Sequence, residues 1–199
     1  AQIQSFVVPV RYADFDQGMI EELLTPYVKE SMTTEGIDYL FTVSMGRKDF
    51  DLERFPALRR SAKAPDNLMV YTGANSSLPL VPTLKGLPLN SEKINGQEFV
   101  EFSLPVQVMQ DAKTSYQVID NRKVRTLTSS MEPNTLNELA GKVSVSGSGG
   151  GYLSNEISYQ SILLRNQFNP KLPVGHIHTP RLAAFEPDVS LSITIDILL

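Results

Sequence analysis

The spacing of apolar residues changes several times along the chain, and each change predicts an element. Ile3–Val10 is an apolar run that reads as a strand. From Phe15 the period lengthens: Phe15, Met19, Ile20, Leu23, Leu24, Tyr27 and Val28 recur at helical spacing, with Asp14 placed to cap the helix and Pro26 to kink or stop it. The run DYLFTVSM, residues 38–45, reads as a buried strand ending at Gly46. Strand, helix and strand in that order predict a parallel sheet covered by helices.

The pattern then weakens. Residues 46–67 are charged and punctuated by Pro56 and Pro65, and residues 68–98 are rich in Pro, Gly, Asn and Ser, which reads as a long excursion, either a flap over a site or a subunit contact. Ser103–Val106 opens a short helical segment through Met109, with Pro105 tolerated in its first turn. Tyr116–Ile119 and Val124–Leu127 flank the turn-prone pair Asp120-Asn121 and predict a surface hairpin. A short helix after Pro133 completes an enlarged connection over residues 113–140. Pro173–Thr179 is a further strand, ending at Pro180. The tail, SLSITIDILL, alternates like a strand.

The chain is organised around residues 142–159, KVSVSGSGGGYLSNEISY. Val143 and Val145 suit a central buried strand, and Gly147, Gly149, Gly150 and Gly151 allow a sharp turn. Tyr152, Ile157, Tyr159, Ile162 and Leu163 then mark a helix with Ser154 in its first turn. There the free backbone N–H groups and the positive end of the helix dipole favour an anionic nucleophile or an oxyanion. Serine is also a common helix cap and Gly-Ser runs are common loops, so the stretch taken alone reads first as a structural turn.

Composition narrows the classes. With 199 residues the chain fits one domain over 1–199 with a sizeable core, and its net charge of −4 without a basic run argues against a nucleic-acid surface. No apolar stretch approaches the ~20 residues of a membrane-spanning helix. Cysteine is absent, which removes disulfides, thiolate metal sites and a thiol nucleophile. His176 and His178 are the only histidines and share one face of their strand. That spacing suits a metal, but no cluster of matching spacing accompanies it, so no metal is expected. Glu53 lies between Leu52 and Phe55; burial would raise its pKa and the nearby arginines would lower it, and alone it reads as a solvated or ion-paired residue. A nucleophile at the glycine turn, a histidine at a later strand end and a carboxylate at an earlier one would meet at one edge of a parallel sheet, an arrangement suited to acyl transfer.

At these residues the chain resembles the pyroglutamyl peptidase I (pyrrolidone-carboxylate peptidase) family of cysteine peptidases. The segment from Glu53-Arg54 to Pro65-Asp66-Asn67 is similar to its E-R-V-A-I-N-L-x-D-A-R-x-x-D-N motif, and Val145–Tyr159 to V-S-x-x-A-G-x-[YF]-[LV]-C-N-x-x-x-Y. GHIHTPRL, residues 175–182, is similar to G-F-I-H-V-P-Y-L, with weaker agreement at Val8-Pro9-Val10 and Ser103–Val106. The resemblance implies a three-layer α/β/α sandwich around a mostly parallel twisted sheet, and removal of N-terminal pyroglutamate from peptides without metal or cofactor. It implies a cytoplasmic location, although a processed, secreted form is compatible with the sequence, and it is compatible with a homo-oligomer. By the same resemblance Glu53 is the acidic member, Ser154 stands at the nucleophile position, His178 is the base, and Lys63, Gly151 and Leu153 belong to the substrate or oxyanion site. The tail after Pro187 becomes a final helix.

The departures are specific. The family's cysteine is Ser154, the arginine of D-A-R is Lys63, and the asparagine of A-I-N is Leu58. An alcohol is a much weaker nucleophile than a thiol, and lysine lacks the planar fork of arginine. The T-G-F-x-P-F-G-G opening that supplies the family's first strand has no counterpart, so the sequence is expected to be a portion of a longer polypeptide with apolar surface left uncovered. Two readings follow: a pyroglutamyl-peptidase-like hydrolase with serine at the nucleophile position, or a catalytically silent homologue that binds a peptide end or serves assembly. A phosphate-binding loop is disfavoured because no lysine follows the glycines.

Overall fold

The computed structural model describes residues 2–33, 36–71, 97–184 and 186–198. Most of the excursion expected over residues 68–98 therefore lies outside the described residues. The elements run α1 (Tyr12–Asp16), α2 (Met19–Glu30), β1 (Leu40–Met45), β2 (Phe50–Glu53), α3 (Val106–Asp111), β3 (Val118–Asn121), β4 (Val124–Thr126), β5 (Ser130–Met131), a 3-10 turn (Leu136–Leu139), β6 (Ser144–Ser146), α4 (Leu153–Phe168), β7 (Val174–Thr179) and α5 (Pro187–Leu198). The main sheet has the order β1-β7-β2-β3; β1 with β7 and β2 with β3 are parallel, and β2 meets β7 antiparallel. It is a mixed α/β fold whose mostly parallel sheet is flanked by helices.

Strand alternation decides what each face carries. Phe50 and Leu52 of β2 and Ile177 of β7 enter a core shared with Val100, Phe102, Leu104, Tyr159 and Ile162. A second cluster joins Tyr12, Phe15, Ile20 and Leu24 to Leu153 and Leu164, and so holds α1 and α2 on α4. Gly175 is confined by this packing, since a side chain there would run into the Phe102 ring and approach Leu104 to 2.9 Å.

Several expectations are corrected. Ile3–Val10 is not a strand: it joins no sheet among the described residues, Pro9 lacks a donor, and Val8 and Val10 instead pack on the α1–α2 cluster while the Val10 carbonyl accepts the Asn67 N–H. The strand at 38–45 is not buried: β1 is an edge strand in which Phe41, Val43 and Met45 stay exposed on one face. The expected hairpin around Asp120-Asn121 does not form. The Arg54 guanidinium grips Asp120 with two bonds of 3.0 Å and β3 pairs with β2, whereas β4 joins β5 and β6 in a separate antiparallel sheet. For the same reason β6 is not a central strand; its Ser144 N–H is given to the Glu98 carboxylate at 3.0 Å. Pro26 does not end α2, which continues to Glu30. The tail is helical despite its alternating residues.

Candidate active site

On β1, β7 and β2 a set of polar residues gathers on the face opposite Phe50, Leu52 and Ile177. On β2 these are Asp51 and Glu53, both buried; on β7 they are His176 and His178; on β1 they are Thr42 and Ser44. Register brings them side by side, with Asp51 opposite His178, Thr42 opposite His176 and Ser44 opposite His178. One face thus carries a row of carboxylate, imidazole and hydroxyl groups.

Within that row the histidines differ. His178 Nδ1 and Glu53 Oε1 are 2.6 Å apart, and the imidazole retains some solvent exposure. With Glu53 accepting from Nδ1–H, the Nε2 lone pair is left to accept a proton elsewhere. Glu53 is 1% exposed. Burial raises its pKa most, the hydrogen bond and charge of His178 oppose that rise, and Asp51 adds to it; the net direction is upward. His176 is fully buried with both nitrogens engaged, Nδ1 with Thr42 Oγ1 at 2.8 Å and Nε2 with Ser44 Oγ at 2.9 Å. Burial, and then the charge of His178, hold its pKa well below the usual value, so it is a neutral structural histidine packed edge-on against the His178 ring at 4.9 Å.

The glycine turn delivers the start of α4 to this place. Gly147 and Gly150 close on each other with backbone bonds of 2.9 and 3.0 Å, and Gly150 takes a φ of 89° that a side chain would strain. A methyl group on Gly149 would lie 3.2 Å from Glu53 Oε2 and 3.5 Å from the Asn155 Cα, so the turn, the carboxylate and the first turn of α4 converge on one point. Asn155 locks the approach like a third strand: its Oδ1 accepts the Ala57 N–H at 2.9 Å and its Nδ2 donates to the Ala57 carbonyl at 2.8 Å. The Ser148 hydroxyl accepts the Phe55 N–H at 2.8 Å. The Gly151 carbonyl is taken by the N–H groups of Ser61 and Ala62, both at 2.9 Å, and the Leu153 side chain is buried in the α1–α2 cluster. No side chain caps α4.

Ser154 sits in that first turn, half-buried. Among the described residues its hydroxyl makes no hydrogen bond, to His178 or to any other group. Lys63 is exposed and makes no hydrogen bond or ion pair among the described residues. Glu53 and His178 are therefore joined directly, Gly149 lies against Glu53, no hydrogen bond ties Ser154 to either among the described residues, and Lys63 is exposed.

Three features escaped the sequence. Asp51 adds a second carboxylate: ligand atoms of Asp51, Glu53 and His178 all lie within 4.8 Å of one another, a grouping able to hold a metal ion. Only its alternation with Glu53 in FDLE, matched by His-x-His in β7, hinted at it. Arg60 grips the buried Glu156 of α4 with bonds of 2.8–3.0 Å and reaches Asp16 at 2.8 Å. Arg59 makes a buried fork to Glu98 at 3.0 and 2.7 Å, and Glu98 also accepts from the Ser144 hydroxyl at 2.8 Å. These pairs fasten the charged 59–60 segment beneath the site, where an exposed charged loop would be the simpler reading of the sequence.

Comparison with known proteins gives the chain a family and its fold a likeness. The family model described as PA0049, C-terminal domain, matches residues 1–94 and 106–183. The uncharacterized protein PA0049 of Pseudomonas aeruginosa is 24% identical over 90% of this chain, which spans 44% of that relative's length. Among solved structures, a mutant pyrrolidone carboxyl peptidase from P. furiosus superposes with a TM-score of 0.54 at 17% identity, covering 96% of this chain and 78% of its own. The pyrrolidone carboxyl peptidase of Fervidobacterium islandicum gives 0.51 at 18%, covering 92% and 68%. At these identities the likeness is one of fold. No helix among the described residues is long and apolar enough to cross a membrane.

Proposed function

The chain belongs to the PA0049 C-terminal domain family, and we propose that it is a peptidase-like hydrolase of the pyroglutamyl type, with Ser154 at the nucleophile position. The observation that carries this reading is the 2.6 Å bond between Glu53 and His178 beside the glycine turn that opens α4. The solved structures similar in fold are pyrrolidone carboxyl peptidases, which makes a peptide with an N-terminal pyroglutamyl group the first substrate to test.

The chemistry assigns each group a task. Glu53 holds the imidazole through Nδ1 so that Nε2 takes the proton from Ser154 Oγ as the oxygen attacks the scissile carbonyl. The carbonyl π electrons move onto oxygen, where uncapped N–H groups at the start of α4 stabilise the charge. Collapse of the tetrahedral species expels the amine, which takes its proton from His178, and water activated by the same histidine releases the acyl group. Gly151 and Leu153 lie at this helix start and belong to the oxyanion region; Lys63, at its exposed position, would meet substrate outside it.

The test is turnover of a fluorogenic pyroglutamyl amide by the chain and by Ser154→Ala. Release that falls about 100-fold or more in the variant supports the reading. Equal release by both, with folding intact, rejects Ser154 as nucleophile. The second reading, a silent homologue that binds a peptide end, draws on one observation, the absence of a hydrogen bond at the Ser154 hydroxyl. It predicts binding of a pyroglutamyl peptide without turnover.

A further inference from the structure

We infer that Asp51, Glu53 and His178 form a binding site for a divalent transition cation of the zinc class. Two carboxylates and one imidazole meet on paired strands, their ligand atoms within 4.8 Å of one another, and Asp51 and Glu53 are 5% and 1% exposed. The positive charge near Asp51 is Arg47, at 3.5 Å and largely in solvent. Two buried carboxylates thus face each other with little compensation, and a cation between them satisfies both. A second observation points the same way. Glu53 uses Oε1 on His178, while Oε2 is buried with no hydrogen-bond partner.

The donor set fits the ion. Imidazole with carboxylates suits zinc and its neighbours rather than calcium or magnesium, which favour oxygen alone. Metal–ligand bonds of about 2.0–2.2 Å set donors about 3.5 Å apart, so the 2.6 Å Glu53–His178 pair opens while Asp51 closes in, by side-chain rotation on backbones already fixed by the Asp51–His178 pairing. His176 is not available as a fourth ligand, both its nitrogens being bonded to Thr42 and Ser44, so water completes the shell. The ion takes the place of the proton shared by Glu53 and His178. Metal binding and base catalysis by His178 are therefore mutually exclusive states of one cluster, and the site is an inhibitory one if the hydrolase reading holds.

The experiment is equilibrium dialysis of the chain against Zn2+, with Co2+ as the spectroscopic probe, for the unaltered protein, Asp51→Asn and Glu53→Gln. The expected result is close to one ion per chain, with affinity falling about 100-fold in either variant and a tetrahedral Co2+ absorption that disappears with it. Because a variant could fail to fold, the unaltered chain is also titrated with Zn2+ while both imidazoles are followed by NMR; His178 should shift and His176 should not. Retention of the ion by both folded variants, no retention by the unaltered chain, or a shift confined to His176 overturns the site. These readouts need no substrate. Loss of the hydrolase reading leaves them standing, and a pyroglutamyl amidase unaffected by Zn2+ would reject the inhibitory role.

Discussion

Glu156 titrates behind the site, and replacing it with glutamine should remove a pH dependence from folding. The residue is 1% exposed in the first turn of α4. Burial pushes its carboxyl from 4.5 up to about 7, and the charge and hydrogen bonds of Arg60 offset only part of that rise. Because the folded value lies above the unfolded one, the folded state holds the proton more tightly. The associated stability is fully present below 4.5 and is lost as pH climbs through about 7. At 1.36 kcal/mol per pKa unit the loss is roughly 3 kcal/mol. Glutamine keeps the shape and a hydrogen-bonding carbonyl for Arg60 but cannot titrate. Urea unfolding followed by circular dichroism at about pH 4 and about pH 8 should show the unaltered chain losing most of this amount relative to Glu156→Gln. Parallel stability profiles for the two proteins would refute the reasoning.

Three further outcomes follow from the packing around the glycine turn. Asn155→Ala strips partners from both the N–H and the carbonyl of buried Ala57 and should cost about 3 kcal/mol in denaturant unfolding. Gly147→Ala drives a methyl group into the Asn155 amide and to within 2.6 Å of the Ala57 nitrogen, which should destabilise the chain by about 2 kcal/mol or more and displace α4. Asp66 accepts N–H groups from Tyr12, Leu68 and Val70; burial raises its pKa, but these bonds hold the net value below 3.8. Its stabilisation is present above 3.8 and lost as pH falls through the lower folded value, so Asp66→Asn should flatten the acid limb of a melting-temperature profile.

The segments of α2, α4 and β7 were legible because burial there is one-sided: Phe15 to Val28 and Tyr152 to Leu163 keep a helical period, and PVGHIHT alternates as the strand does. Glu53 and His178 were legible through the resemblance, since nothing local distinguishes a buried carboxylate in FDLE from a solvated one. What the sequence hid is tertiary. Val145 sits in a short strand whose partner is β4, a choice made by Glu98 and the β4 register rather than by its own residues. Ile3–Val10 has strand composition without a strand to pair with. The tail alternates like a strand yet folds as a helix, with Val189 and Ile193 four apart on the core. Asp51 joined the site through cross-strand register, which no spacing within β2 reveals.

The central claim, that position 154 is a nucleophile position served by His178 and Glu53, has one direct measurement. The chain contains no cysteine, so Ser154→Cys introduces its only thiol, and the rate of alkylation by iodoacetamide against pH reports that group alone. The account predicts a thiolate that forms well below the ordinary value of about 8.5, and a return toward that value when His178→Ala is added. An ordinary thiol titration, unchanged by removing His178, would contradict it.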